Sequence, residues 1–183
     1  IDGVAQAPYN YYGLLDTNGG TGLTTAQLTL GSATFAAGIT YNITAWTELP
    51  NGGVDTALIN DTSSVNVQSS LAGIFTIGGI TPDYSDFTTA VSDLNAYGIC
   101  GPVTFDVRSA TYNEQIDLGS IGGTSSTNTI VFRSQDGHRD SVILTFPSTL
   151  AASNYTVRFS GADHISFEQM TIEATGSLYG HAM

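Results

Sequence analysis

The chain is predicted to be all-β and in two parts: a small β-sandwich, then a parallel β-helix closed at its start by one helix. Three observations carry this prediction. Short runs of apolar-polar alternation fill the first part, one stretch of helical period marks the join, and a pair of apolar residues recurs every 27 residues beyond it. The changes of period place the two parts at residues 1–69 and 70–183.

In the first part, LTTAQLTLGSATF, GITYNITAWTE and TSSVNVQ put Leu28 with Leu30, and Tyr41 with Ile43 and Ala45, two residues apart. That is the spacing of half-buried antiparallel strands, and the glycine-rich NGGTG and NGG supply turns. The sandwich opens at IDGV as though earlier strands precede it, so it is expected to be incomplete at its N-terminus.

The second part begins with a short strand, GIFTIGG, followed by TPDYSDFTTAVSDLNAYG. Phe87, Ala90, Val91 and Leu94 fall at i, i+3, i+4 and i+7, one apolar stripe of a helix. Ser85 or Asp83 is placed to cap its start and Gly98 to end it. A lone helix ahead of many strands suggests a lid on the end of a β-stack.

The repeat then follows. Val103 and Phe105 of GPVTFDV recur as Ile130 and Phe132 of NTIVFRS and again as Val157 and Phe159 of YTVRFSG, 27 residues apart each time. Each unit continues into a second alternation: Ile116 and Leu118; then Val142, Leu144 and Phe146; then Ile165, Phe167, Met170 and Ile172. Fixed-period self-similarity of this kind belongs to solenoids, whose coils are stabilised by stacking on their neighbours. If Phe105, Phe132 and Phe159 stack inside, Asp106, Arg133 and Ser160 form one outward column, and Thr104, Val131 and Arg158 another. Adjacent strands lie roughly 4.8 Å apart, so Asp106 and Arg133 are expected to pair across one rung.

Composition narrows the function classes. Sixteen carboxylates stand against four basic residues, all arginine (Arg108, Arg133, Arg139 and Arg158), for a net charge of −12. Such a surface repels phosphate backbones and anionic headgroups, so neither nucleic acid nor membrane insertion is expected as a mode of binding. No cofactor is expected, though the acidic balance is compatible with calcium. No apolar run reaches transmembrane length, and IDGVAQAPYNYY lacks the build of a signal peptide. The single cysteine, Cys100, has no partner for an internal disulfide and is expected to be a small buried hydrophobe.

The stretches GIFTIGG, TPDYSDFTTAVSDLNAYGICGPVTFDV, TYNEQIDLGSIGGTSSTNTIVFRS and NYTVRFSGADHISFEQMTI together resemble the start of pectin-lyase-like right-handed parallel β-helix domains. Such domains occur in large type IX-secreted surface adhesins of gliding bacteria. Residues 1–62, from IDGVAQAPYNYYG to ALINDT, are similar to the Ig-like repeats that precede such domains, with TSSVNVQ as a late strand. The resemblance covers nearly the whole chain. It implies a truncated Ig-like β-sandwich, then a helix-capped right-handed β-helix of about three coils, incomplete at its C-terminus. Display at the cell surface, secretion and adhesion are what it implies for function. Its partners would be a surface polysaccharide or another cell-surface ligand, or a component of the secretion machinery for which the segment is cargo.

In SGADHISFEQMTIEATG, Ile165, Phe167, Met170 and Ile172 are expected inside, leaving Asp163, His164, Glu168 and Glu173 to face water, with Glu168 and Gln169 at a bend. Lyases and esterases on such a fold act from clustered outward aspartates with an arginine or lysine, and Asp106 with Arg133 is a faint echo of that arrangement. There is no lysine, and no aspartate cluster falls in register. His138 in SQDGHRDS, with Asp136, Arg139 and Asp140 beside it, and His181 have no ligand spacing. GSIGGTSSTN lacks the lysine and following helix of a phosphate loop.

Asn42, Asn60 and Asn154 open N-glycosylation triplets that chance explains in so threonine-rich a chain. Asp55-Thr56-Ala57 and Asp140-Ser141-Val142 match a short O-glycosylation motif of the same bacterial group. Tyr9, Tyr11, Tyr12 and Trp46 are the aromatic candidates for stacking on sugars, and Trp46 shares its strand face with Asn42 and Thr44.

No residue is assigned a catalytic, cofactor-binding or metal-ligating role. The expected function is a non-catalytic structural and adhesive segment of a large secreted surface protein. The alternatives are the N-terminal part of a carbohydrate-active β-helix enzyme, of polysaccharide lyase or pectinesterase type, and a cargo segment held by a type IX secretion component.

Overall fold

A computed structural model of the chain describes residues 1–13, 25–49, 53–54, 59, 61–177 and 180–183. The chain falls into two compact units, Ile1–Val67 and Gln68–Met183. Among the described residues the regular structure is mainly strand, with one α-helix and sets of parallel strands.

In the first unit β1 (Thr40–Trp46) pairs with β2 (Thr62–Gln68). Asn42 Nδ2 donates to Asn66 Oδ1 at 2.9 Å, the Thr44 and Ser64 hydroxyls meet at 2.8 Å, and Thr47 N donates to Asp61 O at 3.0 Å. Partners that run in opposite order make the pair antiparallel. Alternation turns Tyr41 and Ile43 to one face, where Phe35 meets the Tyr41 ring edge-on at 4.7 Å, and Asn42 and Thr44 to the other. The stretch from Thr25 to Phe35 forms no strand, and Leu28 and Leu30 are exposed. Alternation becomes a strand only where a neighbour completes its ladder, and among the described residues none does so there. Leu23 and Thr24 of that run lie outside the described residues.

The second unit begins with β3 (Leu71–Ile77), and α1 (Phe87–Tyr97) follows. Phe87, Ala90, Val91 and Leu94 are all buried, as their spacing predicts. The cap is neither Ser85 nor Asp83. Asp86, in extended backbone directly before Phe87, accepts from Thr89 N at 2.8 Å, while Ser85 donates to Asp86 and Asp83 is drawn back to Thr76 at the end of β3. Gly98 ends the helix at φ 65°, its N–H bonded to Leu94 O.

Eight strands then follow: β4 (Ile99–Val107), β5 (Ala110–Asn113), β6 (Ile116–Leu118), β7 (Ile130–Ser134), β8 (Val142–Phe146), β9 (Val157–Phe159), β10 (Ile165–Glu168) and β11 (Thr171–Ala174). All their pairings are parallel, and every third strand stacks on its predecessor. The sheet orders are β3-β4-β7-β10, β5-β8-β11 and β6-β9. Helix α1 packs on β3 and β6. Near its start β4 carries two residues more than its partner, since Leu71 faces Ile99 but Gly73 faces Val103. Pro102, which has no N–H for a ladder, sits in that irregular stretch.

The first 27-residue step is a true rung: Val103 faces Ile130 and Phe105 faces Phe132. The second is not. Ile165 and Phe167 occupy the next rung, while Val157 and Phe159 lie on another sheet, facing Ile116 and Leu118. The aromatic column is therefore Phe105, Phe132 and Phe167, with ring centroids 4.7 and 5.0 Å apart and planes 14° and 10° from parallel. Phe159 is 42% exposed. Likewise Leu144, which faces Ile172 on one side, faces Tyr112 of β5 on the other and not a residue of β6.

Candidate functional site

The arginine-carboxylate pairs of the parallel sheets lie on the outward rows of the second unit. Parity places Thr76, Asp106, Arg133 and Glu168 in one row of the first sheet, and Ile74, Thr104, Val131 and Ser166 in the next. Glu168 and Ser166 thus stand where Ser160 and Arg158 were expected, because β10 and not β9 fills that rung. Arg133 Nε donates to Asp106 Oδ1 at 2.7 Å. That bond and the charge of Asp106, helped by Glu168 across the next rung, hold the Arg133 guanidinium above its ordinary range. At the head of the row Asp83 accepts from Thr76 N at 2.7 Å and Thr76 Oγ1 at 2.8 Å, and the Thr76 bonds keep its carboxyl below the ordinary value.

A second acid-base pair sits on the β6–β9 sheet, where the register sets Asp117 beside Arg158. Arg158 bonds Asp117 Oδ2, Ser160 Oγ donates to Oδ1 at 2.6 Å, and the guanidinium lies 4.5 Å from the centre of the Tyr155 ring. The Arg158 bond, then the Ser160 bond, holds the Asp117 carboxyl below its usual range. A carboxylate stabilised in this way is a weak base.

Three further carboxylates of the stack, Glu114, Asp163 and Asp93, serve its structure. Glu114 of the TYNEQI segment reaches the first turn of α1, its two oxygens accepting from Phe87 N at 3.2 Å and Thr88 N at 2.7 Å. With Asp86 it supplies the orphan amides of the helix start. Nothing in the sequence around Glu114 signals this role, because the amides it serves lie 26 and 27 residues away. Asp163 accepts from Thr124 Oγ1 at 2.8 Å. Tyr84 donates to Asp93, and burial raises its phenol above the ordinary range.

The acidic stretch from Ser160 to Gly176 is one coil of the stack. Asp163, His164, Glu168 and Glu173 are exposed, and Ile165, Phe167, Met170 and Ile172 are half-buried against the core. Glu168 ends β10, still in register with Arg133, and Gln169 makes the bend at φ 51°. His138, His164 and His181 lie apart, and among the described residues no three of His, Cys, Asp and Glu converge. In the 136–140 turn Arg139 meets Asp140 at 3.6 Å and Ser109 bonds Asp136. GSIGGTSSTN serves packing: Gly122 O accepts from Ile99 N at 2.8 Å, and a Cβ on Gly123 would lie 1.9 Å from Ile99 O.

Cys100 is exposed, contrary to expectation, because β4 alternates and Ile99 takes the inward position. Of the glycosylation triplets, that at Asn154 ends in Thr156, which is fully buried and donates to Glu173 O at 2.8 Å. Ser141 Oγ donates to His138 O at 2.7 Å. Asn60 and the Asp55-Thr56-Ala57 motif lie outside the described residues. Asn42 is exposed, as are Tyr9, Tyr11, Tyr12 and Trp46. Among the described residues no helix is long and apolar enough to cross a membrane.

Compared with protein-family models, with curated proteins and with solved structures, the chain matches none.

Proposed function

We propose that the chain is a structural and adhesive, non-catalytic segment of a large secreted surface protein: Ig-like strands leading into a helix-capped, right-handed parallel β-helix of about three coils. One observation carries this reading. The aspartates on the outward rows are spent on their own neighbours, Asp106 on Arg133 and Asp117 on Arg158 and Ser160, and in the connection before β10 Asp163 is spent on Thr124. Groups so engaged stiffen a stack and hold its faces flat, which suits a surface that presents contacts rather than one that moves protons. The resemblance of its motifs to type IX-secreted adhesins points the same way, with a polysaccharide or another surface component as partner. Calcium enters only as a bridge between acidic faces, which a drop in melting temperature with chelator would reveal.

The rival reading is a polysaccharide lyase or esterase, favoured by the side-by-side placement of Asp106 and Arg133. Incubating the chain with insoluble polysaccharides and with pectin separates the two. Adhesion requires retention on a solid polysaccharide without released product. Unsaturated or de-esterified sugars that vanish in Asp106→Asn or Arg133→Met would establish the enzyme instead, and retention on no polysaccharide would remove that class of partner.

A further inference from the structure

We infer that the outer face of the β1–β2 sheet around Trp46 is a binding site for a neutral saccharide, with the indole as its stacking platform. Trp46 is 52% exposed, yet its ring is held, because Nε1 donates to Glu48 Oε1 at 2.7 Å. A large ring fixed in water costs hydrophobic stabilisation and saves a ligand the cost of ordering it.

The ring borders a groove of about 290 Å3, close to the lower limit of small-molecule sites at roughly 300 Å3. Asn42, Thr44 and Trp46 line one side of it, and Ile1, Val4 and Ala5 the other. The second wall is tied to the sheet by Asp2, whose N–H donates to Asn42 O at 2.9 Å and whose Oδ1 accepts from Asn42 N at 2.7 Å. The wall is therefore held through the Asn42 backbone and the Asp2 carboxylate, not through the Asn42 side chain.

The chemistry of the lining selects the ligand. Beside the indole run two cross-strand polar pairs, Asn42 with Asn66 and Thr44 with Ser64. Amides and hydroxyls both donate and accept, as sugar hydroxyls do, while the flat C–H face of a pyranose suits an aromatic ring. None of the lining residues has an ionisable side chain, and the net charge of −12 disfavours uronates and sulfated glycans.

Trp46 is the single tryptophan of the chain, so its emission reports this site directly. Titration of the whole chain with cellohexaose, mannohexaose and chitohexaose is expected to give a saturable blue shift with at least one of them, and hexagalacturonate to give none. Asn42→Ala keeps the reporter and the Asp2 bonds and should weaken binding about threefold to tenfold. Trp46→Ala, shown folded by circular dichroism, should abolish it in calorimetry. Silence with every neutral probe overturns the inference, as does undiminished binding by Trp46→Ala. The site stands apart from the adhesive reading: retention on a polysaccharide with an unresponsive Trp46 would place the contact elsewhere and leave that reading intact.

Discussion

Arg133 donates from Nε to Asp106 Oδ1 at 2.7 Å, joining two residues that are 27 apart in sequence and one strand apart in the sheet. Both groups reach solvent, so the pair is an exposed ion pair, worth about 0.2–1 kcal/mol. A double-mutant cycle with Asp106→Asn and Arg133→Met, followed by urea unfolding, should return a coupling in that range that shrinks in salt. A coupling well above it would mean that the pair organises the rung.

Phe132 lies between Phe105 and Phe167 and is fully buried, whereas Phe159 is 42% exposed on another sheet. Phe132→Ala should cost about 3–5 kcal/mol and Phe159→Ala less than half as much. Equal losses in chemical denaturation would restore the plain 27-residue register and contradict the observed pairing.

Gly122 and Gly123 are neighbours with opposite tolerance. A Cβ at Gly123 would meet the Ile99 carbonyl at 1.9 Å and its φ is +88°, while at Gly122 nothing lies within 4 Å. Gly123→Ala should lower the melting temperature by several degrees and Gly122→Ala should leave it nearly unchanged.

The start of α1 depends on two carboxylates from different parts of the chain, Asp86 and Glu114. Removing either cap should cost about 0.5–2 kcal/mol. In Glu114→Ala, hydrogen exchange should accelerate at Phe87 and Thr88, and in Asp86→Ala at Thr89. Protection unchanged at those amides would remove Glu114 from the helix start.

Asp83 and Asp117 have folded pKa values below their ordinary 3.8, the first through its Thr76 bonds and the second through Arg158 and Ser160. Groups of this kind stabilise the fold fully above the unfolded pKa and lose that contribution as pH falls through the lower, folded value. Stability should therefore be flat near neutrality and decline in acid below about pH 4. Asp83→Asn and Asp117→Asn should flatten the decline in urea midpoints, and an unchanged acid limb would show that other carboxylates carry it.

Much of the second unit was legible from its residues. Helix α1 follows from the spacing of Phe87, Ala90, Val91 and Leu94, and the Asp106–Arg133 contact from one repeat distance, because alternation fixes which side chain faces out. The capping residue, the role of Glu114 and the exposure of Cys100 were not legible, since each depends on which of several equivalent partners the fold brings near. Of the sugar-facing candidates, the sequence placed Trp46 on the face of Asn42 and Thr44, but the Asp2-anchored wall that makes a groove there has no periodic signal.

By itself, then, the sequence determined a mainly β chain, where helix α1 lies, and the first rung of the parallel stack. Only the tertiary structure decided the second rung. VRF at 157–159 and ISF at 165–167 satisfy the same apolar-polar-aromatic pattern, so periodicity cannot choose between them. The choice is made by stacking: Phe167 lies flat on Phe132 at 5.0 Å, and Val157 is buried against Ile116 on the neighbouring sheet, so each strand sets its inward apolar residue on a partner.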